Sequence, residues 1–203
     1  MKKYKFTGET KTIYLPFGTV TLHRIKAVVE FGLVKVGDLG GWIEKEENLS
    51  HEENAWVYGD AEVYGNAEVR GNAWVCGNAE VRGNAKVYGD AEVYGDAKVY
   101  GDAEVRGNAW VCGNAWVCGN AKVFSTDHVL VIGAIGSRND FTTFFRDKDN
   151  EITVKCGCFL GKIDKFLEKV TQTHKDTKHT LAYRTAVEVA KLQIDLTEKS
   201  TRR

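Results

Sequence analysis

From residue 54 the chain alternates apolar and variable positions with a period of two, and every sixth residue interrupts the alternation. The text runs NAWVYG DAEVYG NAEVRG and so on, as eleven complete hexads over 54–119 and a partial twelfth, NAKVF. Each hexad has the form [N/D]-A-x-V-x-G. Ala and Val alternating with variable residues predict a short strand with one buried face. Val is β-branched and suits a pleated surface. Gly followed by Asn or Asp predicts a corner, because these residues tolerate left-handed backbone angles best. A strand and a corner repeated eleven times predict a solenoid. Glycine at every sixth position argues against helix.

The variable positions predict how many sides the solenoid has. Three sides stack each hexad on the third one after it, an 18-residue coil. That register puts Glu68, Lys86, Glu104 and Lys122 in one column, with Arg70, Tyr88, Arg106 and Phe124 beside it. Rungs about 4.8 Å apart let opposite charges, and cations with rings, meet up the column. A second face carries Glu62, Glu80, Lys98 and Trp116. The third carries Trp56, Trp74, Glu92 and Trp110 beside Tyr58, Cys76, Tyr94 and Cys112. An aromatic face of this kind predicts burial against a partner.

The flanks break the pattern. Residues 1–53 predict a β cap, with strands at 4–6 and 19–31 around a turn at 16–18, then a degenerate first coil with Leu39, Trp42, Ile43 and Leu49 as core. Such a cap closes the open apolar end of a solenoid. Residues 54–125 are the repeat. Residues 126–203 predict a small α+β module, with strands in HVLVIGAIG and FTTFFRDKDNEITVKCGCF and a hairpin turn at DKDN. Ile163, Phe166, Leu167 and Val170 fall at i, i+3, i+4 and i+7 of a helix; Leu181, Thr185, Val189 and Leu192 mark a second. The fold class expected is therefore mainly β: a three-sided parallel β-helix of 18-residue coils, an N-terminal β cap and a small C-terminal α+β domain.

Charge changes the picture by exclusion. Twenty-eight basic residues balance twenty-eight acidic ones, which argues against general nucleic-acid binding. The N-terminal residues lack the apolar core of a signal peptide, and no run of 18 apolar residues predicts a membrane span. Five cysteines, an odd number, read as reduced thiols in a cytoplasmic protein. Cys156-x-Cys158 is tighter than zinc-binding spacing, and alternation points both thiols to one side of a strand, so no metal and no cofactor are expected.

The hexads resemble the hexapeptide-repeat, left-handed parallel β-helix proteins. Residues 22–59 resemble the N-terminal segment of uncharacterised enterobacterial and prophage hexapeptide proteins, some labelled acetyltransferases, and residues 128–194 resemble a tail of Firmicute phage and prophage proteins. The resemblance implies a trimer and, in many members, acyl transfer with a histidine near the coils as general base. Residues 54–124 contain no histidine; the five are His23, His51, His128, His174 and His179. The expectation is accordingly a non-catalytic, oligomeric binding or scaffold protein of phage or prophage type, capturing a host protein or a nucleotide-like signal. An acyltransferase-like enzyme and a structural virion component are the alternatives. The candidate ligand site is the loop of Gly136, Ser137, Arg138, Asn139, Asp140, Thr142 and Thr143, whose amides, guanidinium and hydroxyls suit a small anion. The candidate oligomer or partner face is Trp56, Tyr58, Trp74, Tyr94 and Trp110.

Overall fold

The computed structural model describes residues 1–16 and 18–197. A long antiparallel hairpin, β1 (Tyr4–Leu15) and β2 (Gly18–Ala27), leads into β3 (Leu39–Ile43). Twelve two-residue strands follow, β4 to β15, the first Trp56–Val57 and the last Lys122–Val123. They stack in three parallel sheets, and the repeat strands pair at a spacing of 18 residues: Trp56 on Trp74, Glu62 on Glu80, Glu68 on Lys86. Main-chain bonds run from coil to coil, as from Glu62 N–H to the Ala79 carbonyl at 2.9 Å. The result is a β-solenoid of about five turns. Every repeat Ala and Val points inward and is at most 1% exposed.

Side chains reinforce the stack outside the core. At the corners Asn72 donates to Asp90 and Asn78 to Asp96, both at 2.9 Å, and Asn84 to Asp102 at 2.9 Å. No corner column places two aspartates on neighbouring rungs, which avoids like charges at contact distance. The Arg70 guanidinium lies 4.7 Å from the Tyr88 ring, Arg82 4.5 Å from Tyr100, and Arg106 3.6 Å from Phe124. Lys98 pairs with Glu80 at 3.0 Å, and Lys122 with Glu104.

The N-terminal cap continues one solenoid sheet, in the order β1-β2-β3-β5. Its first coil is longer than the rest: Trp42 pairs with Glu62 and Leu49 bridges Val69, a spacing of 20 residues. The two extra residues enlarge the corner around His51. Lys3 closes that corner, donating from Nζ to the carbonyls of Ala55 (2.7 Å), Glu52 (3.3 Å) and Glu53 (3.4 Å). Ile43 and Leu49 are core as expected, whereas Trp42 is half-buried and Leu39 exposed. Trp42 points outward because it shares the outer column of Glu62, where Lys11 and Arg24 cover its ring at 4.6 and 5.2 Å.

Trp56 also departs from expectation. It is 1% exposed and does not belong to an open face. The cap folds over it, with Phe31 edge-on at 5.3 Å and Tyr4 at 6.2 Å, and a Cβ on Gly40 would lie 2.7 Å from its ring.

The C-terminal module is a four-stranded antiparallel sheet, β16 (Val129–Ile135), β17 (Asp140–Arg146), β18 (Ile152–Cys156) and β19 (Phe159–Lys162), followed by α1 (Ile163–His174) and α2 (Lys178–Gln193). Alternation sends its side chains to two different cores. The row Val129–Phe145–Thr153–Lys162 faces the last coil; the row Leu130–Phe144–Val154–Gly161 faces the helices. Phe145 accordingly joins the solenoid core, and Phe144 a second core with Phe166, Val170, Tyr183 and Val187. Asp147, buried at the DKDN turn, accepts from Thr153 Oγ1 at 2.6 Å and from the backbone of Asp149 and Glu151, and pairs with Lys162.

Two local expectations are corrected here. The second helix exists, but Leu181, Val189 and Leu192 lie on its outer face, as does Thr185; Tyr183, Ala186, Val187 and Ala190 are buried. The alanines let α2 sit close to the sheet, and Tyr183 fills the gap against Phe166 at 5.4 Å. Cys156 and Cys158 do not share a strand face. The Cys156–Phe159 pair closes a tight hairpin whose turn is Gly157–Cys158, leaving Cys158 exposed.

Candidate functional site

The helix-facing side of the C-terminal sheet carries a cavity of about 330 Å³. Three segments build its walls. The β16–β17 loop contributes Ser137 and Arg138, with Asp140 at the start of β17; the β18–β19 hairpin contributes Cys156 to Phe159; α1 contributes Phe166, Lys169, Val170, Thr173 and His174. Tyr183 closes it from α2. Phe166, Val170 and Phe159 make an apolar floor, while Arg138 and Lys169 are cations at the wall. The His174 imidazole stacks on the Tyr183 ring at 5.9 Å. Thr142 Oγ1 donates to the Cys156 sulfur at 3.3 Å, and that sulfur lies 3.9 Å from the Tyr183 hydroxyl. Burial, and then the neighbouring Cys156 thiol, push the Tyr183 phenol up to about 12. Tyr183 therefore stays a neutral hydrogen-bond donor through the physiological range. A charged rim over an apolar floor, with an imidazole and a thiol, suits an amphipathic anion.

The loop residues singled out from sequence divide between two places. Ser137, Arg138 and Asp140 line this cavity; Gly136 lies behind it, where a Cβ would collide with Tyr183; Asn139 is exposed at a φ of +50°. Thr142 and Thr143 lie outside the loop. Both are strand residues, 0% and 2% exposed, and Thr143 accepts the Trp116 N–H at 3.0 Å. Sequence reasoning missed Lys169, His174 and Tyr183. The i, i+4, i+5 spacing of Lys169, Thr173 and His174 beside Phe166 and Val170 carries part of that signal; Tyr183 was hidden by the misjudged face of α2.

Of the aromatic face, Tyr58 and Trp110 are half-exposed at 52% and 51%, and Trp74 and Tyr94 are partly covered. The histidines beside the coils serve the caps. His51 accepts the Lys3 N–H at Nδ1 (3.3 Å) and stacks on Tyr4 at 4.2 Å; its burial lowers its proton affinity against the opposing pull of Glu46. His128 is buried after the last coil and accepts the Phe124 N–H at Nδ1 (3.0 Å).

No family model matches the chain. The chain is similar to the uncharacterised acetyltransferase YdcK of Escherichia coli, 39% identical over 62 residues, which are 29% of this chain and 19% of that protein. The chain thus matches about a fifth of the relative's length. Together with the solenoid, the match points toward the hexapeptide-repeat proteins. It also corrects the expectation that this protein is not an enzyme: histidine-free coils suggested that, but the matched relative is described as an acetyltransferase. The acyltransferase alternative is better supported than a phage scaffold. No helix among the described residues is long and apolar enough to cross a membrane.

Proposed function

We propose that this chain is an acyltransferase-like hexapeptide solenoid whose chemistry resides in the helix-side cavity of its C-terminal module. The observation that carries the proposal is the meeting of His174 with Arg138 and Lys169 around one apolar-floored cavity, at the end of a scaffold whose coils hold no histidine. In this reading the anionic part of an acyl thioester docks on Arg138 and Lys169. His174 takes the proton of an acceptor hydroxyl or amine as that group attacks the thioester carbonyl. The carbon–sulfur bond breaks, and the proton passes to the departing thiolate.

The test is release of free thiol from acetyl-coenzyme A, supplied with a panel of hydroxyl and amine acceptors. His174→Ala should lower turnover by roughly 10²–10⁴-fold, and Arg138→Ala should raise KM with little change in kcat. Turnover unaffected by His174→Ala, or no saturable binding of coenzyme A, overturns the assignment.

The same reading includes self-association, with a trimer favoured, through the face of Tyr58, Trp74, Tyr94 and Trp110. That face carries one charged residue, Glu92, whereas the other two are laced with ion pairs and cation–ring contacts. Trp110→Lys should convert the oligomer to monomer in light scattering. A wild-type chain that is monomeric at micromolar concentration removes this part.

A further inference from the structure

The opposite face of the C-terminal sheet presents a different chemistry. The row Val131–Thr143–Lys155–Leu160 faces the last coil. Between sheet and coil lies a smaller pocket of about 150 Å³, lined by Asn114, Trp116, Asp140, Phe141, Thr143, Lys155 and Gly157. Lys155 is the unusual member. It is 9% exposed, its ammonium donates to the Gly157 carbonyl, and it lies 4.9 Å from the centre of the Trp116 ring. Among the described residues no carboxylate forms an ion pair with it. Lys98, Lys122 and Lys162 are neutralised by Glu80, Glu104 and Asp147, and buried Lys3, which also lacks an ion pair among the described residues, donates to three carbonyls where Lys155 has one. Burying a cation against a ring and one carbonyl leaves much of its desolvation cost uncompensated. An anion entering the pocket removes that deficit.

We infer that this junction pocket is a binding site for a small carboxylate. Three features narrow the class. The volume equals that of about five waters at roughly 30 Å³ each, room for a carboxylate on one small ring and little more. The walls are aromatic, with Trp116 and Phe141 at 37% and 38% exposure, so a flat apolar body is favoured behind the charge. Asp140 also lines the pocket, its Oδ1 accepting the Phe141 N–H at 2.7 Å. Asp140 repels a dianion about twice as strongly as a monoanion, which favours a carboxylate over the dianionic form of phosphate. The Asn114 side-chain amide is a further donor among the lining residues. The pocket shares only Asp140 and Gly157 with the helix-side cavity, and its test reads binding through Lys155 and Phe141, which line this pocket alone, so its outcome is separate from that of the acyl-transfer proposal.

Benzoate is a suitable probe, titrated into the full chain at fixed ionic strength and followed by tryptophan fluorescence and by the melting temperature. Benzoate should bind saturably, with benzyl alcohol and inorganic phosphate each at least tenfold weaker. Lys155→Met should weaken benzoate at least tenfold while raising the melting temperature of the free protein, since a buried charge is removed. Phe141→Ala, a change at a partly exposed wall, should weaken benzoate several-fold and leave the fold intact. Absence of saturable benzoate binding overturns the inference, as does undiminished binding by either variant. Phosphate binding more tightly than benzoate overturns the ligand class.

Discussion

Lys3 shows how one residue couples charge to architecture. The first coil is two residues longer than its successors, so its corner cannot rely on the Gly–Asn/Asp ladder and its carbonyls need another donor. Lys3 supplies three bonds from a nearly water-free position, 3% exposed. Burial, against the opposing attraction of Glu53, lowers its ammonium pKa to about 8. In the unfolded chain it titrates near 10.5, so between those values the unfolded state holds more protons. Stability then rises with pH across that window. Above about pH 10 the raised phenol of buried Tyr4 acts in the opposite sense, because the folded state then holds the extra proton. Denaturant melts should therefore show wild-type stability climbing from pH 8 to 10 relative to Lys3→Met. Parallel pH profiles for the two proteins would refute the burial account.

At the scale of the element, the corners decide which glycines matter. All repeat glycines adopt positive φ, but their surroundings differ. Gly71 sits at +71°, and a Cβ there would lie 2.8 Å from the Gly89 nitrogen one coil on. Gly113, at +62°, has no next repeat coil above it, and a Cβ meets nothing within 4 Å. Gly113→Ala should cost about 1–2 kcal/mol, the strain of left-handed backbone alone. Gly71→Ala should cost about 1–3 kcal/mol more, because backbone rather than a movable side chain stands in the way. Equal losses in chemical denaturation would show that coil-to-coil contact adds nothing. The repeat was legible at this level because one physical demand recurs eleven times, and any misreading of a hexad is corrected by the next. α2 had no such redundancy. Its two apolar stripes differ mainly in size, and reading the larger residues, Leu181 and Leu192, as core chose the wrong one. Proximity to the sheet favours Ala186 and Ala190, and sequence alone does not contain that proximity.

The whole molecule turns on one sheet with two interiors. The stretch FTTFF reads equally well as a strand buried on either face, and nothing in its text says that the faces meet different partners. In the structure Phe145 plugs the end of the solenoid, and Phe144, one residue earlier, anchors the helices. This arrangement also explains why the candidate site was only partly legible. The loop at 136–140 was visible as polar chemistry, but the partners that make it a cavity come from α1 and α2, and Lys155 reaches its pocket only because the sheet caps the last coil. The same division predicts separable failures. Phe144→Ala and Phe145→Ala should each cost about 3–5 kcal/mol, yet through different units. Hydrogen exchange in Phe144→Ala should accelerate in α1 and α2 while the coils stay protected. In Phe145→Ala the last coil, around Val117 and Val123, should open first. If both variants instead speed exchange uniformly across coils and helices, the module and the solenoid unfold as one cooperative body, and the two cores are a single thermodynamic unit despite their separate contacts.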